Sequence, residues 1–217
     1  MELVLLGPPG SGKGTQAKLL AERFLIPHIS TGEIFRKNLG EGTELGLMAR
    51  RYMDQGVLVP DDVTEAMVRQ RLTESDAQNG FILDGFPRNL AQGEHFESML
   101  TELGRSLTAV IYLVVGRKTL IDRLTGRRVC PQCGAVYHLI LDPPKRPGVC
   151  DVCGSALEQR RDDTEETVIK RLEVYDQETA PLVAFYRRRG LVQEFDGEAP
   201  VEVVTRDIVQ GLEGARD

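Results

Sequence analysis

The sequence predicts an α/β fold in which a parallel five-stranded sheet is wrapped by helices. Short apolar runs rich in β-branched residues alternate with longer helical patterns, as strands joined by crossover helices do. Three of these runs are nearly continuously apolar, which is typical of strands covered on both faces. Two stretches, 30–60 and 127–163, interrupt the alternation and indicate small insertions mounted on the core.

The elements follow one another with helical patterns after every candidate strand. Residues 30–60 place two helices after a strand without returning to the sheet, and residues 127–163 are rich in Gly, Pro, Cys and Arg. The predicted strands are 2–6, 27–30, 81–84, 108–115 and 191–195. The predicted helices are 13–24, 31–39, 43–54, 61–73, 89–103, 117–126, 164–188 and 201–213.

Composition excludes several classes of protein. A chain of 217 residues is long enough for one core with small appended domains. Its net charge of −6 argues against nucleic acid as a main partner, because such proteins usually carry a basic surface. The apolar start "MELVLL" is too short for a signal peptide, and no run reaches the length of a membrane span. We therefore expect a cytoplasmic protein with neither nucleic acid nor membrane as partner.

The stretch "GPPGSGKGT", residues 7–15, matches a phosphate-binding loop except at its end. Gly14 stands where the pattern has a Ser or Thr whose hydroxyl holds Mg²⁺. The stretch follows a predicted strand and opens a predicted helix, where glycines and helix N–H groups can surround a phosphate. We therefore predict nucleotide binding, with Lys13 reaching the β- and γ-phosphates. The alternative is an ordinary Gly/Pro turn.

Two further motifs lie where parallel strands are predicted to end. Ser30 and Glu33 form a capping box, which leaves Thr31 and Arg36 free to contact a ligand. Asp84 either starts a loop or points at Mg²⁺, since open α/β sheets bind ligands at this edge.

Several arginines accompany these motifs. Arg123 and Arg127 share one helix face, and Arg160 and Arg171 flank "DDTEET", where Asp163 and Glu166 resemble a helix cap. Any one of them, like Arg88, is more often a surface or salt-bridged residue. Together, beside a phosphate loop, they indicate a second phosphorylated substrate.

The cysteines have the spacing C-x₂-C-x₁₆-C-x₂-C, and a glycine follows each pair. This spacing predicts a tetrahedral zinc site with one structural Zn²⁺ per chain, because four thiolates leave no open coordination position. Two disulfides are the alternative, which a reducing compartment disfavours. The ligands are Cys130, Cys133, Cys150 and Cys153.

These motifs together resemble the adenylate kinases of the long-lid, zinc-containing type, from residue 1 to about residue 213. The resemblance rests on the phosphate loop and on "ISTGEIFR", "GVLVPDDV", "FILDGFPRN", "DRLTGRRVC", "QRRDDTEETVIKRL" and "DGEAP". It implies a P-loop NTPase-type sheet with a helical AMP-binding insertion at 30–59 and a zinc-ribbon-like lid at 126–163. The core would comprise 1–29, 60–125 and 164–217.

The resemblance also implies reversible, Mg²⁺-dependent transfer between ATP and AMP to give two ADP, maintaining adenine nucleotide homeostasis, in a monomer. Gly14 is then a family signature, and Mg²⁺ is held by nucleotide oxygens and waters with Asp84 steadying the waters. The implied catalytic residues are Lys13, Arg36, Asp84, Arg88, Arg123, Arg160 and Arg171. The implied ATP-binding residues are Gly10, Ser11, Gly12, Lys13, Gly14, Thr15, Arg123, Arg127, Val136, Tyr137 and Ala199. The implied AMP-binding residues are Thr31, Arg36, Val57, Leu58, Val59, Gly85, Phe86, Pro87, Arg88, Gln92, Arg160 and Arg171.

Two other functions remain open on sequence. One is a zinc-ribbon nucleic-acid module fused to a P-loop switch, although the chain lacks the guanine-reading motif N-K-x-D. The other is a different nucleoside monophosphate kinase. Thr31 and Gln92 favour adenine in the acceptor site, whereas the donor base is less constrained because the contact at Ala199 is through backbone.

Overall fold

The computed structural model describes residues 1–214, and the predicted parallel five-stranded sheet is confirmed. Its strands lie in the order β2 (His28–Ser30), β3 (Phe81–Asp84), β1 (Glu2–Leu6), β4 (Ala109–Val114) and β7 (Val192–Asp196), and every neighbouring pair is parallel. The end of the predicted core segment, 215–217, lies outside the described residues. The strands of the structure are β1 Glu2–Leu6, β2 His28–Ser30, β3 Phe81–Asp84, β4 Ala109–Val114, β5 Arg127–Val129, β6 Val136–His138 and β7 Val192–Asp196.

Most helices begin and end within two residues of the predicted bounds. No helix among residues 1–214 is long and apolar enough to cross a membrane. The helices are α1 Lys13–Phe24, α2 Thr31–Gly40, α3 Glu44–Met53, α4 Asp61–Leu72, α5 Leu90–Glu102, α6 Arg117–Thr125, α7 Glu165–Val174, α8 Pro181–Arg187 and α9 Val201–Gly214.

The prediction of one continuous helix over 164–188 is wrong. A π-helical turn at Tyr175–Thr179 separates α7 from α8, and α8 begins at Pro181. Proline has no N–H to donate to the preceding turn, and its ring crowds the backbone there, so a regular helix cannot run through this point. The wider turn absorbs the mismatch.

The sheet is buried on both faces because alternate side chains of each strand point to opposite sides. Val4 and Leu6 of β1 pack into one apolar cluster with Phe96 of α5, while Leu3 and Leu5 pack into a second cluster under α1 and α9. This arrangement explains why the strands read as continuous apolar runs rather than as alternating ones.

The sheet order brings three loops to one edge. In register, Leu5 of β1 and Ser30 of β2 both lie beside Asp84, the last residue of β3. All three strands are parallel, so the loops that follow them leave the sheet on the same side. The phosphate loop, the start of α2 and the "DGFPRN" segment therefore meet.

Both insertions carry small apolar clusters of their own. Phe35, Ala49 and Val59 are buried together in the first. In the second, β5 and β6 form an antiparallel pair that the sequence did not predict, and the buried cluster consists of Cys130, Tyr137 and Cys150. So small a core needs another source of order.

Candidate functional site

Residues 7–15 form the loop between β1 and α1, and its backbone permits close contact with a ligand. Gly10 has φ 87°, and a Cβ atom there would lie 3.1 Å from the carbonyl oxygen of Leu120, so the position requires glycine. Gly12 precedes α1 and offers the helix no side-chain cap. The first N–H groups of α1, with the positive end of the helix dipole, form an anion-binding site.

Lys13 folds back over this loop. Its Nζ donates hydrogen bonds to the carbonyl oxygens of Gly7, at 2.7 Å, and Pro8, at 2.9 Å. Burial lowers the pKa of Lys13 to about 8, although Asp84 opposes the shift. A phosphate nearby would restore the full charge of this ammonium group, because an opposite charge raises a lysine pKa.

Asp84 lies directly under the loop. A Cβ atom at Gly14 would lie 3.7 Å from Asp84 Oδ2, so no side chain separates the two. Burial acts to raise the pKa of Asp84, but His28, whose Nε2 is 3.6 Å from Oδ2, and Lys13 hold it below its ordinary value. The group is therefore a carboxylate, the ligand type that suits Mg²⁺ or its bound waters. No motif in the sequence singles out His28.

The start of α2 is held against the loop after β3. The predicted cap is present, since Ser30 Oγ accepts a hydrogen bond from the Glu33 N–H. Thr31 Oγ1 donates to the Gly85 carbonyl at 2.8 Å, and Arg88 Nε donates to the same oxygen at 2.7 Å. This shared acceptor fixes Thr31 and Arg88 side by side at the edge of the sheet.

Two predicted arginines converge on one buried carboxylate. Asp163 has no exposed side-chain surface, and it accepts two hydrogen bonds from Arg127, at 2.5 and 2.8 Å. Arg171 Nη1 lies 3.1 Å from Asp163 and 3.0 Å from the carboxylate of Asp162. The carboxylates thus hold both guanidinium groups in position beside the cleft.

The assignment of Asp163 and Glu166 as a helix cap is wrong. Thr164 is the cap of α7, because its Oγ1 accepts from the Thr167 N–H. Asp163 lies one residue before the cap and turns inward to the arginines. A carboxylate next to a helix start resembles a cap in sequence, but here its distant partners determine its direction.

Three other predicted arginines, Arg36, Arg88 and Arg160, carry positive charge that the nearby carboxylates do not fully balance. Burial lowers the pKa of Arg36, Arg88 and Arg160, and neighbouring guanidinium groups add to this effect. Arg171 acts in this way on Arg88, and Arg36 acts on Arg160. Partly buried cations that repel one another are stabilised by anions between them. The cluster therefore has the electrostatics of a site for several phosphates.

These groups surround a cleft of about 1400 Å³, large enough for nucleotides. Arg123 stands at its wall, where Nη1 donates to the Gly197 carbonyl at 2.9 Å. Pro87 and Arg160 of the predicted acceptor set also line it. All the predicted donor-site residues line the cleft: Gly10, Ser11, Gly12, Lys13, Gly14, Thr15, Arg123, Arg127, Val136, Tyr137 and Ala199.

A narrower cavity lies between α2, residues 56–59 and α5. The side chain of Phe86 does not reach it, because its ring packs edge-on against Phe96 in the core, with centroids 5.6 Å apart. Phe86 is fully buried and lines neither cavity, so the prediction that it contacts AMP is not supported. The predicted acceptor residues that line the cavity are Thr31, Arg36, Val57, Leu58, Val59, Gly85, Arg88, Gln92 and Arg171.

The four cysteines meet in the second insertion with their sulfur atoms within 4.8 Å of one another. All four are free thiols, so the structure pairs none of them in a disulfide. The turns that follow the two Cys-x-x-Cys pairs have the same hydrogen-bond pattern. The Gly134 N–H donates to the Cys130 carbonyl and the Gly154 N–H to the Cys150 carbonyl, and both glycines have positive φ. A zinc ion with sulfur ligands at about 2.3 Å fits such a closed set of four.

The whole chain is similar to proteins of one family. The family model described as adenylate kinase matches residues 5–191. An adenylate kinase of Caldanaerobacter subterraneus subsp. tengcongensis is 56% identical over 216 residues, covering 100% of this chain and 98% of the relative. Those of Moorella thermoacetica and Clostridioides difficile are 55% and 53% identical over 212 residues, covering 98% of both chains in each case. With the phosphate loop, the cationic cleft and the narrower cavity in place, the chain belongs to the adenylate kinase family, the enzymes that transfer a phosphoryl group from ATP to AMP.

Proposed function

We propose that ATP binds along the phosphate loop and that AMP binds in the narrower cavity, so that their phosphates meet between Lys13 and Arg88. The single observation that carries this assignment is the convergence of partly buried cations on one cleft. The first helix N–H groups and Lys13 would receive the β- and γ-phosphates. Thr31, Arg36 and Arg88 would receive the AMP phosphate at the adjoining edge.

The reaction needs positioning and charge stabilisation rather than a base. The attacking AMP oxygen is already ionised, so none of the side chains must remove a proton from it. Arg36, Arg88, Arg123, Arg160 and Arg171 would match the charge that spreads over the transferred phosphoryl group. Mg²⁺, carried by nucleotide oxygens and by waters near Asp84, would neutralise part of that charge. Asp162 and Asp163 keep two of the arginines aimed at the cleft.

The two insertions would act as lids, residues 30–59 over AMP and residues 126–163 over ATP, on a core of 1–29, 60–125 and 164–217. Their separate apolar clusters support this division. Closed lids exclude water, which would otherwise accept the phosphoryl group.

A Zn²⁺ bound by Cys130, Cys133, Cys150 and Cys153 would order the second lid and take no part in the chemistry, since it has no open position. Free cysteines suit a reducing cytoplasm, where we place the protein. Every site residue comes from one chain, so a monomer suffices.

A coupled assay that pairs ATP or GTP with AMP, CMP, UMP and GMP tests the assignment. We expect Mg²⁺-dependent formation of ADP with AMP strongly preferred as acceptor. Faster turnover with CMP or UMP than with AMP would contradict it.

A further inference from the structure

Gln92 is the polar side chain of α5 that lines the proposed AMP cavity, and both ends of its amide are already engaged by the protein. It is only 1% exposed. Its Oε1 accepts a hydrogen bond from the backbone N–H of Arg88 at 2.7 Å. Its Nε2 donates to Oδ1 of Asp61 at 2.6 Å.

These two partners permit one orientation of the amide. A backbone N–H can only donate, and a carboxylate can only accept. If the amide turned over, its oxygen would face the Asp61 carboxylate and its NH₂ group would face the Arg88 N–H. Both contacts would become repulsive, and Gln92 is too buried for water to separate it from its partners. The hydrogen-bond network therefore fixes which end of Gln92 donates.

Asp61 is itself held in place. It is the first residue of α4, and both its oxygens accept from Nδ2 of Asn89, at 3.1 and 3.0 Å. Asn89 in turn caps α5 by accepting from the Gln92 N–H at 2.8 Å. Asp61 does not line the cavity, so its effect on a ligand passes through Gln92.

The fixed amide still has one N–H and one oxygen lone pair available. These two groups complement adenine: the Gln92 oxygen can accept from the amino group at position 6, and the Gln92 N–H can donate to the ring nitrogen at position 1 or 7. Hypoxanthine and guanine present the reverse at positions 6 and 1, an oxygen acceptor beside an N–H donor. A Gln92 that could turn over would serve either kind of base equally well.

We propose that Asp61 is a specificity-determining residue that acts by positioning: it locks the Gln92 amide in the orientation that accepts AMP and rejects 6-oxopurine nucleotides. This inference rests on the proposed AMP site. IMP is the sharpest probe, because it differs from AMP at this edge only in the reversed groups at positions 1 and 6.

The experiment compares kcat/KM for AMP and IMP in the wild-type protein, in Asp61→Asn and in a matched control, Asp62→Asn. Asp62 is the exposed neighbour on the same turn of α4 and takes no part in the hydrogen-bond network. Asparagine can donate as well as accept, so Asp61→Asn removes the penalty at one end of the amide. The Arg88 N–H remains, so the preference should weaken rather than invert.

We expect the AMP-to-IMP ratio to fall by about tenfold in Asp61→Asn, the size of effect that one bidentate base contact produces. The fall should come mainly from a lower KM for IMP, because the turned-over amide becomes less costly, with the kinetic constants for AMP and the KM for ATP nearly unchanged. Asp62→Asn should keep the wild-type ratio. A merely structural role for Asp61 would lower the rates with both nucleotides in parallel and leave the ratio intact.

Asp61→Ser provides a second variant if Asp61→Asn does not fold, because a hydroxyl can also donate or accept and suits a helix start. An unchanged ratio in the folded variant overturns the inference, as does a wild-type protein that uses IMP as readily as AMP. Failure of the AMP site itself gives a different result, since the wild-type protein would then prefer CMP or UMP to AMP.

Discussion

Asp163 and Arg127 form a two-bond ion pair, with Nη2 to Oδ1 at 2.5 Å and Nε to Oδ2 at 2.8 Å. The carboxylate is fully buried and also contacts Arg171. Arginine and carboxylate match in shape, so this pair sets the direction of the guanidinium group as well as its position.

Asp163→Asn should therefore reduce both stability and activity. Removing one charge from a buried pair leaves the arginines without a counter-charge, which costs about 3 kcal/mol in the free energy of unfolding. Misaligned Arg127 and Arg171 should also lower kcat. Denaturant unfolding and steady-state rates measure the two effects.

Asp207→Asn, which removes an exposed pair with Arg206, is the control and should cost no more than about 0.5 kcal/mol in the free energy of unfolding. Equal, small effects in both variants would show that Asp163 does not hold the arginines.

The lowered pKa of Lys13 leads us to expect that the protein takes up a proton when it binds ATP above pH 8. Its pKa in the free protein is about 8, so above that pH much of it is neutral. Bound phosphates raise the pKa, so the side chain binds a proton as ATP enters, and the KM for ATP should rise with pH over this range. Calorimetry at saturating ATP in buffers of different ionisation enthalpy measures the uptake.

Lys13→Met should remove this proton uptake, whereas Lys118→Met, at an exposed position of α6, should retain it. The same uptake in wild type and Lys13→Met would mean that another group titrates.

The cysteine cluster predicts about one zinc per chain by elemental analysis. The second insertion, which we propose as a lid, has a very small apolar core, so metal binding should appear directly as folding energy. Cys130→Ser combined with Cys133→Ser should lower the thermal midpoint and make the lid sensitive to protease. Well below that midpoint the variant should retain much of its activity. Complete inactivation with a protease-resistant lid would instead assign the metal to catalysis.

The sequence predicted those parts of the structure that depend on local patterns. The five strands, the phosphate loop and the cap at Ser30 each follow from residues within a few positions of one another. The strands β5 and β6 were missed because each has only three residues and lies inside an insertion, outside the strand–helix alternation by which the equally short β2 was recognised.

The interactions that were missed join residues far apart in the chain. Asp163 lies 36 residues from Arg127, and Asp61 lies 31 residues from Gln92. Both carboxylates lie at or beside the start of a helix, where the neighbouring sequence alone suggests that they cap the helix or interact with its dipole. Only the packed fold shows that one orients arginines and the other an amide.

We propose that the phosphates of the two substrates meet at Arg88, whose Nε is anchored to the Gly85 carbonyl at 2.7 Å. The most direct measurement is kcat for Arg88→Ala beside its melting temperature. Arg69→Ala, which removes a surface pair with Glu102 away from the cleft, is the control. We expect kcat of Arg88→Ala to fall by a factor of about 10³–10⁵ with little change in melting temperature. Arg69→Ala should keep the wild-type kcat. An Arg88→Ala protein that keeps most of its activity would show that Arg88 does not hold the reacting phosphates.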